Sequence, residues 1–217
     1  MTRAASTVIA IDGPAASGKG TLARKLARHY DFAYLDTGSL YRAVGHAVLV
    51  AGGNPADEAA ALAAAKALDV NRIDEKAIRS REAGEAASIV AAMPAVRAAI
   101  LHFQRDFATN PPGGKAGAVL DGRDIGTVVC PEAKAKLFVT ASPEVRAQRR
   151  WLELKVSGSA VGEAQILDDI RERDQRDAER AASPMKPAAD AYLLDTSNLS
   201  IEAAFGAAVA IIDKAMS

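Results

Sequence analysis

The chain has 217 residues, enough for one α/β domain with small appendages. Hydrophobic residues make up 49% and charged residues 25%, an ordinary globular balance. Acidic and basic side chains cancel at 27 each, without the basic excess usual in a nucleic-acid binder. Val8-Ile9-Ala10-Ile11 is an apolar run that reads as the first strand. Gly13-Pro14-Ala15-Ala16-Ser17-Gly18-Lys19-Gly20-Thr21 follows, and Leu22 to Ala27 continues as a helix. Strand, glycine-rich loop and helix in that order make a phosphate-binding loop: backbone N–H groups face an anion, and the helix N-terminus adds partial positive charge. Lys19 reaches the outer phosphates of a nucleoside triphosphate as a point charge. Gly20 stands between Lys19 and the hydroxyl of Thr21, where Ser or Thr usually follows the lysine directly. Magnesium is therefore assigned, through water, to Asp121.

Ala33-Tyr34-Leu35 is the second strand. It leads into Asp36-Thr37-Gly38-Ser39-Leu40-Tyr41-Arg42, in which Thr37 offers a hydroxyl, Tyr41 a ring and Arg42 a bidentate phosphate donor on nearly one helical face. From Leu40 to Phe107 the pattern is almost wholly helical. Ala59 to Ala67 is one helix, Ala86 to Val90 leads into another, and Pro94 sits at the first turn of a third. Leu68-Asp69-Val70 reads as a short strand. This excursion looks like an inserted substrate-binding region, closed by the loop Asn110-Pro111-Pro112-Gly113-Gly114.

Ala118-Val119-Leu120, Lys136-Leu137-Phe138-Val139 and Tyr192-Leu193-Leu194 are the remaining strands and are expected to be buried. Strands separated by helices predict βαβ units in a parallel sheet, whose carboxyl edge binds ligands. Asp12, Asp36, Asp121, Thr140 and Asp195 lie at that edge; function is favoured over capping for Asp36 and Asp121, and capping of the next helix for Asp195. Asp121-Gly122-Arg123-Asp124-Ile125-Gly126-Thr127 places close-set charges after a buried strand, which packing alone does not explain. Cys130 reads as a small core residue, unable to form an internal disulfide and suited to a reducing compartment.

A helix capped by Ser142, with Pro143 in its first turn, runs to about Lys155. After the break Ser157-Gly158-Ser159, a charged helix runs from Glu163 to about Ala181, and the pair suits a mobile lid or an exposed hairpin equally well. Arg149 and Arg150, on the helix entering that lid, read equally well as contributors to phosphoryl charge neutralisation and as exposed basic residues. Arg173, Asp177 and Arg180 share one face of the second helix, which should look into the cleft while the other face meets solvent. Ser200 to Ala215 is a terminal amphipathic helix. No stretch approaches the ~20 apolar residues of a membrane span, and the first residues do not read as a signal peptide.

Together these constellations resemble the bacterial cytidylate kinases, a branch of the nucleoside monophosphate kinases. The matching residues are Ile11-Asp12-Gly13-Pro14 with Ser17 to Thr21, Leu35 to Gly38 with Tyr41-Arg42, Asp121 to Asp124 with Gly126-Thr127, and Glu172-Arg173-Asp174 with Arg176-Asp177. Pro187 to Ala191 and Leu194-Asp195-Thr196 are also similar, so the resemblance spans nearly the whole chain. It implies a P-loop NTPase-type five-stranded parallel sheet flanked by helices, with a helical NMP-binding insert and a short lid. The core would comprise 1–36, 115–151 and 165–217, the NMP-binding region 37–114 and the lid 152–164.

The resemblance further implies transfer of the γ-phosphate of ATP to CMP, and to dCMP, with Mg2+, by a cytoplasmic monomer without nucleic-acid or membrane partners. Gly13 to Thr21 would bind ATP, and Lys19, Arg123 and Arg173 would be catalytic. Thr37, Arg42 and Arg123 would hold the CMP phosphate. Tyr41, Arg173 and Asp177 would contact the sugar or frame the acceptor, and Ser88, Arg97, Asp124 and Arg180 would read cytosine. The family's usual insert with its own small sheet is shortened here around Val70 to Glu82. The alternatives are a kinase for UMP, AMP or another small acceptor, and a non-catalytic nucleotide-binding module.

Overall fold

The computed structural model describes residues 6–156 and 160–217. Its centre is a five-stranded sheet of β1 (Thr7–Asp12), β2 (Ala33–Asp36), β3 (Gly117–Gly122), β4 (Ala135–Thr140) and β5 (Tyr192–Asp195), in the order β2-β3-β1-β4-β5. Every pairing is parallel. The central strands read as continuous apolar runs because helices cover both faces. Ile9, Ile11, Val119, Leu137 and Val139 form one core with Leu22, Ala23 and Leu26 of α1 (Lys19–His29) and Ala208 and Ile212 of α8 (Ile201–Met216). Ala10, Ala118 and Leu120 build the opposite face against Ala108 of α5 (Pro94–Thr109).

β5 departs from the expectation of a buried strand. It lies at the sheet's edge, and only Leu194 is buried, while Leu193 is 67% exposed. Asp195 does not cap the following helix: its Oδ1 accepts from Ser197 N at 2.8 Å and Ser197 Oγ at 2.6 Å, and Ser200 caps α8 through the Ala203 N–H.

The excursion between β2 and β3 is helical. It comprises α2 (Thr37–Val50), α3 (Glu58–Lys66), α4 (Arg81–Val90) and α5, around a second core of Leu40, Val44, Val48, Val90, Val96 and Ile100. α2 and α4 cross closely at Gly45, where a Cβ would stand 2.8 Å from the Ala86 Cβ. The expected strand at Leu68–Val70 is absent. Asp69 instead accepts from Asn71 N and starts a 3₁₀ turn over Val70–Arg72, and another such turn covers Ala77–Arg79. No strand occurs in 37–114.

α6 (Pro143–Val156) and α7 (Glu163–Glu179) pack as an antiparallel-type pair around Ala147, Leu154, Ile166 and Ile170. The break at Ser157-Gly158-Ser159, and with it the middle of the expected 152–164 lid, lies outside the described residues. α7 stops two residues earlier than expected. Arg180 leaves the helix with φ −57° and ψ 135° and donates from Nε to Ser183 O at 2.6 Å. Cys130 is half-buried beside the β3 core, and burial pushes its thiol up to about 11. Among the described residues, no single helix is long and apolar enough to cross a membrane.

Candidate active site

The loop after β1 turns on glycine. Gly13 has φ +147°, and a Cβ there would meet Val139 O at 1.9 Å, so no other residue fits. Gly18 at φ +86° is the N-cap of α1, whose first turn has neither a side-chain cap nor an acidic residue. The opening N–H groups of α1 are thus left for an anion. Lys19 folds back over the loop, with Nζ 3.4 Å from Pro14 O. Burial, then the neighbouring Arg123, push Lys19 down to about 7, against the opposing pull of Asp121 and Asp36. Ser17 is fully buried with Oγ unpartnered, and Thr21 is exposed.

Two arginines of α6 hold this loop from behind. Arg149 donates from Nη2 to Thr196 O at 2.8 Å and from Nη1 to Thr196 Oγ1 at 3.1 Å, while Thr196 Oγ1 donates to Ser17 O at 2.9 Å. Arg146 is buried and grips Asp174 of α7 at 3.0 and 2.5 Å, with further contacts to Ala141 O and Ala15 O. Sequence reasoning missed Arg146, which on a charged helix looks like any surface arginine. Arg150 pairs with Glu153 at 3.2 Å and donates to Arg79 O, with its guanidinium and that of Arg173 both close to Gly84.

Two carboxylates stand beside the loop. Asp121, 3% exposed, accepts from Tyr34 Oη at 3.2 Å, and burial and the adjacent Asp36 push it up to about 7. A Cβ on Gly20 would come within 3.1 Å of Asp121 Oδ2, so a side chain after Lys19 would crowd this carboxylate. Asp36, expected to be functional rather than a cap, does cap α2: it accepts from Ser39 N at 3.1 Å, because the strand runs straight into the helix. Its other oxygen takes Arg42 Nη2 at 2.8 Å. Burial would raise Asp36, but Arg42 outweighs it and holds the carboxyl below its usual range. No group of three or more His, Cys, Asp or Glu able to hold a metal occurs among the described residues. Magnesium binds through one or two carboxylates plus phosphates and water, and Asp121 beside Asp36 supplies carboxylates of that kind.

The facing half of the cleft gathers side chains from four elements. Thr37 Oγ1 donates to Asp121 O at 2.7 Å. Arg123 Nε donates to Asp177 Oδ2 at 2.9 Å, with Arg173 Nε 3.8 Å from the same oxygen. Burial, then Arg123, push Arg173 down to about 10. Arg97 lies over the Tyr41 ring at 5.5 Å and is bonded to Asp124. Arg180 Nη2 stands 3.7 Å from the other Asp124 oxygen, and Arg97 and Arg180 both donate to Ala91 O. Ser88 Oγ, Arg42 Nε, Arg173 Nε and Arg180 Nη2 are buried without a hydrogen-bond partner. Buried polar groups are rarely left so, and here they cluster on the residues singled out for the acceptor. On α7 Asp177 is buried and Arg173 half-buried, while Arg171, Glu172, Gln175 and Glu179 are exposed; Arg180 is buried too but lies just past the helix end rather than on its face.

Asp12, at the sheet edge and within the Ile11-Asp12-Gly13-Pro14 motif, has no role assigned by the sequence. It is 4% exposed and accepts from Ile125 N at 2.7 Å and Gly126 N at 2.8 Å. Burial pushes it up to about 6 against these two N–H bonds. Arg81 of α4 makes a bidentate pair with Asp169 of α7 at 2.6 and 2.9 Å, linking the insert to the lid arm. Spacing in the sequence gives no sign of that pair.

Residues 9–214 match the model of the cytidylate kinase family. A cytidylate kinase of Rhodospirillum rubrum is 62% identical over 205 residues, covering 94% of this chain and 96% of that protein. A cytidylate kinase of Nitrobacter winogradskyi is 58% identical over 206 residues, covering 95% of each. Among solved structures, an uncharacterized protein from Eubacterium ventriosum has a similar fold, with a TM-score of 0.53 at 16% identity over 96% of this chain and 99% of that one. The chain belongs to the cytidylate kinase family.

Proposed function

We infer that the cleft transfers the γ-phosphate of ATP to CMP, giving ADP and CDP, and that it takes dCMP in the same way. The observation that carries this reading is the set of buried polar atoms without a hydrogen-bond partner on Arg42, Arg173, Arg180 and Ser88, all residues of the proposed acceptor site. In the proposed arrangement Gly13 to Thr21 wrap the ATP phosphates. Thr37, Arg42 and Arg123 hold the CMP phosphate. Tyr41, Arg173 and Asp177 frame the acceptor, and Ser88, Arg97, Asp124 and Arg180 read the cytosine. A carboxylate suits the exocyclic amino group, and arginines suit the carbonyl and ring nitrogen.

An oxygen of the CMP phosphate attacks the γ-phosphorus, the bond to the β–γ bridging oxygen breaks, and ADP leaves. No base is required, because the attacking oxygen is already anionic. Lys19, Arg123 and Arg173 lower the barrier by holding both phosphates in line and neutralising charge on the migrating group. Magnesium, held through water by Asp121, would supply charge neutralisation of the β- and γ-phosphate oxygens. Closure of α6 and α7 over the site would exclude water and suppress hydrolysis of ATP. The proposed protein is a cytoplasmic monomer.

ADP release measured with CMP, dCMP, UMP and AMP tests the reading. CMP and dCMP are expected to give the highest kcat/KM. Equal or better use of UMP or AMP would remove the base-reading roles of Ser88, Arg97 and Asp124, and ATP binding without ADP release on any acceptor would make the chain a binding module.

A further inference from the structure

The residues after Arg123-Asp124 form a short π-helical turn, Ile125–Val129. Like any helix start, this turn presents backbone N–H groups with no partner inside it. The residue placed to cap them is its own N-cap, Asp124, but Asp124 makes no such bond. Its carboxylate is drawn off by Arg97 and faces Arg180. The cap comes instead from Asp12, 113 and 114 positions earlier in sequence, which takes the Ile125 and Gly126 N–H groups on its two oxygens. Gly126 suits this approach, since a Cβ there would lie 3.2 Å from Lys136 Cδ and 3.4 Å from Asp12 Oδ2.

We propose that Asp12 is a positioning residue for recognition of the acceptor base: by capping this turn from β1, it releases the Asp124 carboxylate to pair with Arg97 and Arg180. The inference rests on the cytidylate kinase reading of the cleft. Two buried aspartates divide two tasks that one side chain cannot perform together. A carboxylate turned back onto the N–H groups of its own turn points away from Arg97, and a carboxylate on Arg97 leaves those N–H groups bare. Asp12 also immediately precedes Gly13, so the same residue ties the start of the donor loop to the start of the acceptor turn.

The test is the ratio of kcat/KM for CMP to that for UMP, with the KM for ATP and the melting temperature, in the full-length protein and in Asp12→Asn. Asparagine keeps the shape but turns an N–H₂ toward one backbone N–H, so Asp124 is expected to swing back to cap the turn. CMP kcat/KM should fall about tenfold and the CMP-to-UMP ratio about fivefold, with ATP KM changed by no more than about twofold. A merely structural role would lower CMP and UMP turnover together and leave their ratio unchanged, which would overturn the proposal. If Asp12→Asn does not fold, Asp12→Ser, which shortens the acceptor, is read in the same way. Asp124→Asn combined with the Asp12 variant should lose little further CMP preference, and fully additive losses count against the proposal. The unsubstituted enzyme is measured first: lack of CMP preference there defeats the functional reading, whereas a normal preference that neither variant moves defeats this inference alone.

Discussion

Arg123 reaches across 54 positions of sequence to Asp177, meeting it at 2.9 Å with both side chains largely sealed from solvent. Arg173 stands beside the same carboxylate. Asp177→Ala would leave two neighbouring guanidinium groups without their shared anion. Removing one partner of a buried pair costs about 3–5 kcal/mol, and thermal unfolding should show a loss of that order. CMP kcat/KM should fall while ATP affinity, read by titration, stays near its original value. Unchanged CMP kinetics would remove Asp177 from the acceptor site.

The same carboxylate gives an acid signature. Burial would raise Asp177, but Arg123 and Arg173 outweigh it, so the folded value lies below the ordinary 3.8. Its stabilisation is complete above 3.8 and is lost as pH falls through the folded value. Denaturant midpoints between pH 5 and pH 2 should therefore fall more steeply in the unsubstituted protein than in Asp177→Asn. Parallel curves would contradict this.

Lys19 tilts stability the same way with pH but for the opposite reason, because burial disfavours its charged form. Its folded value is pushed down to about 7 from 10.5, so between those limits the unfolded chain holds the extra proton and stability rises with pH. Lys19→Met should lack that rise and should fold at least as well as the unsubstituted protein at pH 7. Turnover should drop about 100- to 1000-fold, the usual effect of losing a preorganised charge at the reacting centre. Matching losses in stability and turnover would argue against a direct role.

Gly122→Ala tests how tightly the acceptor edge is built. A Cβ there would lie 2.6 Å from Thr37 Oγ1 and 2.7 Å from the Ile125 side chain. The Thr37 hydroxyl must then leave Asp121 O. We expect a stability loss of about 1–3 kcal/mol and a raised KM for CMP, measured beside an unchanged KM for ATP. A variant with normal CMP kinetics would mean that Thr37 does not touch the acceptor.

Arg81 and Asp169 are each about one-third exposed, so solvent screens their bidentate pair. A double-mutant cycle with Arg81→Ala and Asp169→Ala should give a coupling of about 0.5–1 kcal/mol that shrinks in high salt. The singles should also raise the KM for CMP, because the pair ties α4 to the lid arm. A salt-independent coupling would point to packing rather than charge.

The fold was legible where periodicity was strong. Five of the six runs read as strands are strands, and Pro94 opens α5 at the residue expected. Leu68–Val70 misled because a short apolar run has no strand beside it to pair with, and Asp69 offers its backbone a local turn instead. Tyr192–Leu193 misled because an edge position cannot be read from composition. In the site, motif residues such as Arg123, Asp124 and Asp177 could be found, and the structure brings them together. Asp12 capping Ile125, and Arg146 gripping Asp174, could not be found, since each depends on a partner fixed only by the packed sheet and helices.

β1 and β3 are neighbours in register, with Asp12 opposite Gly122. The two loops that would hold donor and acceptor phosphates therefore leave the sheet from adjacent rungs of one hydrogen-bond ladder, whose strand spacing is about 4.8 Å. In the proposed reaction, the separation of the two phosphates would then be set by the sheet rather than by the helices around it.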